Sequence, residues 1–395
     1  MATVGTVRNS TLRADIPRLP ASVEPPHLPK WVSSPETKQD LNWASLATID
    51  LSLLDSQDPQ VRKELVAMTK KALSTDGFLY VIGTGVPQET LERQLAIAQH
   101  VISGIPQSEK GPYAAKLDEG SYKGYKLRGV WKRDDIPDNI EHYNLESSSF
   151  QSPTKQHHPS VLPFLPEIQA FADYTNNHIV RRLFTLVSLV LELEEDALWK
   201  LHSQEKPIGA SCQRFMGYFP RDEDAESKTD GIWSKGHTDY NTLSLLWSQP
   251  ISALQVLTPG ENKWKWVKHT PGALVVNVAD ALDFLSGGVL KATRHRVIRP
   301  PSDQADIIRY ILIHFARAAP DTMLNPIAES PLAQREGKNA FQSRIDQGGR
   351  APTQEEWLKE RIRRTGKELY DDERNPPGSG LVEEEILGTK VEYYV

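Results

Sequence analysis

The sequence predicts a mainly β chain with flanking helices, and three observations predict it. From residue 208 onward, short apolar or alternating runs follow one another: SCQRFMGYF, TLSLLW, ALQVL, ALVVNVA, HRVIR and RYILIHFA. Gly, Pro and charged turns cut between them, the pattern of a sandwich or jelly-roll barrel. Before these runs, apolar residues recur at helical spacing. After them, residues 326–395 turn polar and hold one charged helical pattern.

In chain order, residues 1–45 are rich in proline (PRLP, EPPHLP, SSPE) and read as an arm laid over the surface. LATIDLSLL is a short strand-like run ending near Asp55. From Pro59 to Ser74, Val61, Leu65, Met68 and Leu73 fall at helical spacing, and Asp58 before Pro59 supplies a start signal. GFLYVIG reads as a buried strand and residues 88–103 as a helix. Residues 112–160 carry many Gly, Pro and Asp and read as mostly loop; Tyr125, Lys126 and Arg128 fall there, where they would either line the pocket mouth or, the expected reading, face solvent. A long helix starts near Pro166, with Ile179, Leu183, Val187 and Leu191 on one core-facing stripe. Past the β runs, Thr353 and Glu356 form a capping-box pattern ahead of EEWLKERIRRTGKELYD, expected to be a charged surface helix with its Lys and Arg in solvent. Four regions result: the arm (1–45), an N-terminal α/β region packing on the core (46–205), the β core (206–325) and a C-terminal helical extension (326–395).

With 38% hydrophobic and 25% charged residues the chain is globular, and its net charge of -6 gives nucleic acid no basic footprint. The same charge weighs against anionic membrane, and no stretch approaches the roughly 20 apolar residues that span a bilayer. The N-terminus has no apolar core of a signal peptide. Cys212 is the sole cysteine, so no intrachain disulfide forms; lying in SCQRFMGYF, it reads as a small core side chain. These features lead us to expect a reducing, aqueous compartment, the cytoplasm, and a small-molecule substrate rather than nucleic acid or membrane. The oligomeric state is not legible.

The chemistry-bearing segment is GHTDYNTLSLLW. Residues i and i+2 of an extended segment point to one side, so His237 and Asp239 present an imidazole and a carboxylate to one ion. RHRVIRP offers a third ligand, His295. Two His and one carboxylate on one face of an octahedral ion leave the opposite face open, the arrangement of non-haem Fe(II) oxygenases. A His-x-acid triplet alone is weak: among 11 His and 52 acidic residues in 395, roughly one arises by chance. Two adjacent histidines, His157 and His158, look like a metal pair, but neighbours on a strand face opposite sides and cannot share an ion.

Several motifs in register carry a resemblance. HTDYNTLSLLW, then ALQVL, Trp264, PGALVVNVADAL and HRV resemble the isopenicillin-N-synthase-like family of Fe(II)/2-oxoglutarate-dependent oxygenases, in that family's order. LATIDLSLL and DGFLYVIGTGV resemble its N-terminal region, so the likeness spans roughly residues 46–325. GYKLRGVW and GRAPTQEEW are closer in flavour to fungal secondary-metabolism members. The resemblance implies a distorted jelly-roll, or double-stranded β-helix, core. It implies Fe(II) on His237, Asp239 and His295, 2-oxoglutarate as co-substrate and O2 as oxidant. Arg309 takes the place of the arginine that pairs with the distal carboxylate. A buried dicarboxylate needs a fixed cation, and a planar guanidinium grips it with two hydrogen bonds. Tyr218 keeps the phenol that the family directs at the co-substrate. Arg214, on the same strand, is placed either to reach the substrate or to hold a core carboxylate.

Two departures stand out. Where the family has Ser two residues past the arginine, this chain has Ile311; the family's Asn in Asn-Tyr-Tyr-Pro is Met216. The implied reaction converts 2-oxoglutarate and O2 to succinate and CO2 and oxidises an organic substrate, by hydroxylation unless the pocket steers it to desaturation or rearrangement. Two rivals are carried forward: a 2-oxoglutarate-independent oxidase resembling isopenicillin N synthase, and a catalytically silent binding protein of the same fold.

Overall fold

A computed structural model describes residues 25–133, 136–151, 155–202, 208–365 and 381–394. Sixteen strands are present in these residues. β1 (Thr48–Asp50), β2 (Phe78–Ile82), β3 (Gly124–Lys126), β4 (Lys132–Arg133), β5 (Ile136–Pro137) and β6 (Ile140–Glu146) precede the long apolar region. β7 (Cys212–Tyr218), β8 (Ile232–His237), β9 (Leu243–Trp247), β10 (Leu254–Thr258), β11 (Lys263–Trp266), β12 (Leu274–Val278), β13 (His295–Ile298) and β14 (Arg309–Ala316) fill it, and β15 (Leu381–Ile386) and β16 (Thr389–Tyr394) follow. Eight strands form one sheet in the order β1-β2-β12-β9-β14-β7-β6-β3, and six form a second in the order β11-β10-β13-β8-β16-β15. Apart from the parallel β1–β2 pair, neighbours run antiparallel. The mainly β jelly-roll architecture with flanking helices is the one the sequence predicts.

The large sheet is apolar on both faces, which is why its strands read as continuous hydrophobic runs rather than clean alternations. Leu274, Val276 and Val278 of β12 and Tyr310 and Leu312 of β14 face the helices, packing with Leu65, Leu95, Phe171 and Val187. The alternate positions, Val275 and Ile311, turn to the other sheet and join Met216, Trp233, Leu254 and Val297. The period of two divides each strand between a helix-facing core and an interior between the sheets.

The Pro59–Thr75 helix starts where expected: the Asp58 carboxylate accepts from the Gln60 N–H at 2.8 Å, with Pro59 at the first position. Its buried stripe is Leu65, Thr69, Ala72 and Leu73, which leaves Met68 47% exposed instead of in the core. The long helix is continuous from Leu165 to Val190, with a π-helical turn at Thr175–Val180, and buries Ile179, Leu183, Val187 and Leu191. Cys212 is fully buried, as expected. Part of the proline-rich arm lies outside the described residues. The rest crosses the surface, with Thr37 donating to Asp303 and Ala44 N–H to the Trp266 carbonyl.

Three expectations need correction. Residues 112–160 are not mostly loop: β3 and β6 are strands of the large sheet, and Ser147–Gln151 is helical. Tyr125 and Lys126 are buried rather than in solvent, because Lys126 is neutralised by Asp138 beneath the Trp131 ring. Finally, the C-terminal extension is not purely helical. After the Gln354–Thr365 helix comes the β15–β16 hairpin, whose Tyr394 pairs with Gly236 of β8. That helix also buries Trp357 and Arg361, so its basic residues are not all solvated. No helix among the described residues is long and apolar enough to cross a membrane.

Candidate metal and co-substrate site

β8 ends at His237 and β13 begins at His295, and the antiparallel register sets these two residues opposite one another. Their rings lie 4.5 Å apart, centroid to centroid. Asp239 follows two residues past His237, with Oδ1 3.9 Å from His237 Nε2 and Oδ2 3.8 Å from His295 Nε2. One ligand atom from each residue lies within 4.8 Å of the others, a spacing that suits a shared ion.

The orientation of each ligand is fixed from behind. His237 Nδ1–H donates to the Lys235 carbonyl at 2.7 Å and His295 Nδ1 faces the Thr293 carbonyl at 3.4 Å, leaving each Nε2 lone pair toward Asp239. Asp239 Oδ2 accepts from Ser244 Oγ at 2.6 Å and Asn277 Nδ2 at 3.0 Å. Burial, then the neighbouring His295, pushes the His237 imidazole down to about 4 and keeps it neutral. Burial alone would raise Asp239, but the two imidazoles and its two donors hold it below the usual carboxylate range. A neutral His237 and an ionised Asp239 are in the states that binding a divalent cation requires, so the donor set fits the expected iron.

The triad opens into a cavity between the two sheets. Arg309, Ile311, Ile313, Phe315 and Arg317, alternate residues of β14 and its end, line it, opposite Arg214, Met216 and Tyr218 of β7. Arg309 is 3% exposed and has no acidic partner among the described residues; its Nε is buried without a hydrogen bond. Burial lowers its pKa, with only the Tyr218 phenol opposing. That ring lies 5.5 Å below the guanidinium and is stacked on Trp233. A buried guanidinium left without an anion is costly; this one is suited to receive a carboxylate from a ligand. Ile311 and Met216 line the same cavity and offer that ligand no hydrogen bond.

All five residues singled out for metal or co-substrate, His237, Asp239, His295, Arg309 and Tyr218, thus meet in one cavity, and Arg214 joins them. Tyr125, Lys126 and Arg128 do not. The two adjacent histidines are separate: His157 bonds Tyr143 and the Ser149 carbonyl, while His158 faces Glu109 at 3.1 Å. Sequence reasoning missed Ser244 and Asn277, which orient the carboxylate, and His142, which lines the cavity. The readable signal for Asn277 is a lone amide inside the buried run ALVVNVA.

Known proteins resemble this chain in sequence and in fold. The sequence model of the 2OG-Fe(II) oxygenase superfamily matches residues 210–318, and that described as "non-haem dioxygenase in morphine synthesis N-terminal" matches residues 46–164. A 2-oxoglutarate-dependent dioxygenase of Didymella fabae is 28% identical over 264 residues, 62% of this chain and 77% of that protein. Among solved structures, a full-length Neurospora crassa protein in complex with alpha-KG superimposes with a TM-score of 0.68 at 18% identity, covering 82% of this chain and 99% of that one. JOX2 in complex with 2OG, Fe and JA gives 0.60 at 21% identity, covering 82% and 92%. These structural likenesses speak to the fold.

Proposed function

Because the chain belongs to the 2OG-Fe(II) oxygenase superfamily, we propose that its cavity oxidises a small organic substrate, with His237, Asp239 and His295 holding Fe(II) and Arg309 anchoring 2-oxoglutarate. The observation that carries this reading is the convergence, in one cavity, of an open-faced His/Asp/His set and a buried arginine with no protein counter-ion among the described residues.

When bound, iron and 2-oxoglutarate supply the O2-dependent oxidising power, with succinate and CO2 as by-products. The protein's own groups do the rest. His237, Asp239 and His295 would hold the metal, and three protein ligands would leave coordination positions open for the co-substrate and O2. Ser244 and Asn277 stop the Asp239 carboxylate from rotating away. Arg309 fixes the far carboxylate of the co-substrate with charge-assisted hydrogen bonds, and the Tyr218 ring beneath it keeps the guanidinium in place. Ile311, Ile313, Met216 and Leu246 keep water from the space between Arg309 and the triad. Hydroxylation is the default outcome, and a role in secondary metabolism accords with the fungal relative.

An anaerobic titration with Fe(II) and 2-oxoglutarate tests this. Chelation produces a visible charge-transfer band, and Arg309→Ala is expected to weaken 2-oxoglutarate binding roughly 100-fold, about 2.7 kcal/mol. An unchanged affinity would remove Arg309 from the site. Ile311 in place of Ser gives some weight to a 2-oxoglutarate-independent oxidase; succinate released in step with substrate oxidation distinguishes the two.

A further inference from the structure

A second cation without a salt bridge among the described residues faces the same cavity, with Asp239 acting on it only at longer range. The Arg214 guanidinium lies between the Tyr122 ring (5.1 Å) and the Phe315 ring (4.7 Å). Its Nε donates to Asn144 Oδ1 at 2.6 Å, and no carboxylate among the described residues pairs with it. Burial is the main influence on it, and its pKa is lowered accordingly. The other charged side chains of this end of the cavity are satisfied: Arg317 pairs with Glu146 at 2.9 Å, and Asp239 belongs to the triad.

Arg214 does not share the Arg309 anion. On the β7–β14 register Arg309 stands opposite Tyr218 and Arg214 opposite Ile313. Four residues of strand, about 13 Å at ~3.3 Å per residue, separate the two positions. With iron and 2-oxoglutarate bound, the dication and Arg309 balance Asp239 and the dicarboxylate, and Arg214 alone is left over.

A second donor stands beside it. Asn144 Oδ1 accepts from Arg214, so the Asn144 amide must present Nδ2 to His142 Nδ1, 2.8 Å away. His142 Nδ1 is therefore the acceptor, and its proton resides on Nε2. His142 and Arg214 lie on adjacent strands, diagonal to one another, and both line the cavity. Tyr122, Trp131, Phe315, Tyr240 and Leu358 supply apolar wall around them.

We infer that the primary substrate is an organic acid with an apolar body, its carboxylate held by Arg214 with His142 Nε2–H beside it. This rests on the co-substrate reading above. A planar carboxylate matches the guanidinium fork, and a monoanion closes the charge balance.

The test uses the full chain loaded with Fe(II) and saturating 2-oxoglutarate under argon, so that Arg309 is occupied. A series of straight-chain and aryl-alkanoic monocarboxylic acids is titrated by calorimetry, each against its own primary amide. At least one acid is expected to bind about tenfold or more tighter than its amide. Arg214→Gln should erase that preference and Arg214→Lys should retain part of it, both keeping the wild-type affinity for 2-oxoglutarate. Absence of acid preference throughout the wild-type series, or a preference that survives Arg214→Gln, overturns the inference. Failure of 2-oxoglutarate itself to bind, measured first, would instead overturn the reading of Arg309.

Discussion

At the residue scale, the proposed metal site depends on groups that would not touch the ion. Asn277 and Ser244 both donate to the same Asp239 oxygen, and Oδ1 is left toward His237. Losing such an outer partner typically lowers metal affinity ~10–100-fold. Asn277→Leu, close in volume and buried beside Val275, is therefore expected to weaken anaerobic Fe(II) binding by about that factor while the secondary structure is kept. An unchanged dissociation constant would show that Asn277 only fills space. Of the proposed ligands, His237 and Asp239 were legible as a pair from their i, i+2 spacing in an extended segment, whereas singling out His295 and Arg309 took the family resemblance. Asn277 and Ser244 were not, since an isolated polar residue in an apolar strand does not announce its partner. His142 was hidden further, lying in a segment that did not read as a strand at all.

At the scale of elements, the misread segment shows why. β6 runs IEHYNLE, with Glu141, His142 and Asn144 all buried. Their burial is tolerated because each has a partner: Lys110 for Glu141, Arg214 and the Tyr122 carbonyl for Asn144, and Asn144 for His142. A strand whose inward positions are polar but mutually satisfied carries no apolar alternation. The C-terminal helix misled in the same way. Arg361 is 1% exposed, donates to Asp280 Oδ2 at 2.8 Å and to the Thr238 carbonyl at 3.2 Å, and lies 4.4 Å from the Tyr240 ring. Asp280 also accepts from Trp357 Nε1, and its backbone N–H donates to the Asp239 carbonyl. The helix is thereby tied to the segment between two of the proposed metal ligands. Arg361→Met leaves Asp280 buried without its cation and is expected to cost about 3–5 kcal/mol in urea unfolding. Adding Asp280→Asn should recover much of that loss. A single variant as stable as wild type would mean that the pair does not hold the helix down.

At the scale of the whole molecule, the two sheets enclose the cavity, and the helices are what allow the large sheet to bury both faces. That division was readable because short apolar strand-like runs and helical patterns occupy largely different stretches of the chain. The β15–β16 hairpin was not, because VEEEI carries three consecutive acids and reads as surface. Burial also sets how stability responds to acid. His202 is pushed down to about 4 and His314 to about 3, both by desolvation. An unfolded chain binds protons at these histidines near pH 6.5, and the folded one does not. Stability is therefore full above that pH and is lost as pH falls toward the folded values, by up to ~1.4 kcal/mol per pH unit for each residue. Urea midpoints of the metal-free protein should fall between pH 7 and pH 5, and His314→Gln should flatten the slope. A midpoint that rises on acidification would contradict this.

The claim on which the rest depends is that His237, Asp239 and His295 together hold one divalent ion. Iron content after anaerobic loading and desalting tests it most directly, on wild type and on His295→Ala with its fold verified by circular dichroism. One iron per chain in the wild type, and loss of it in the variant, is the predicted result. A folded His295→Ala that keeps its full iron would place the metal elsewhere.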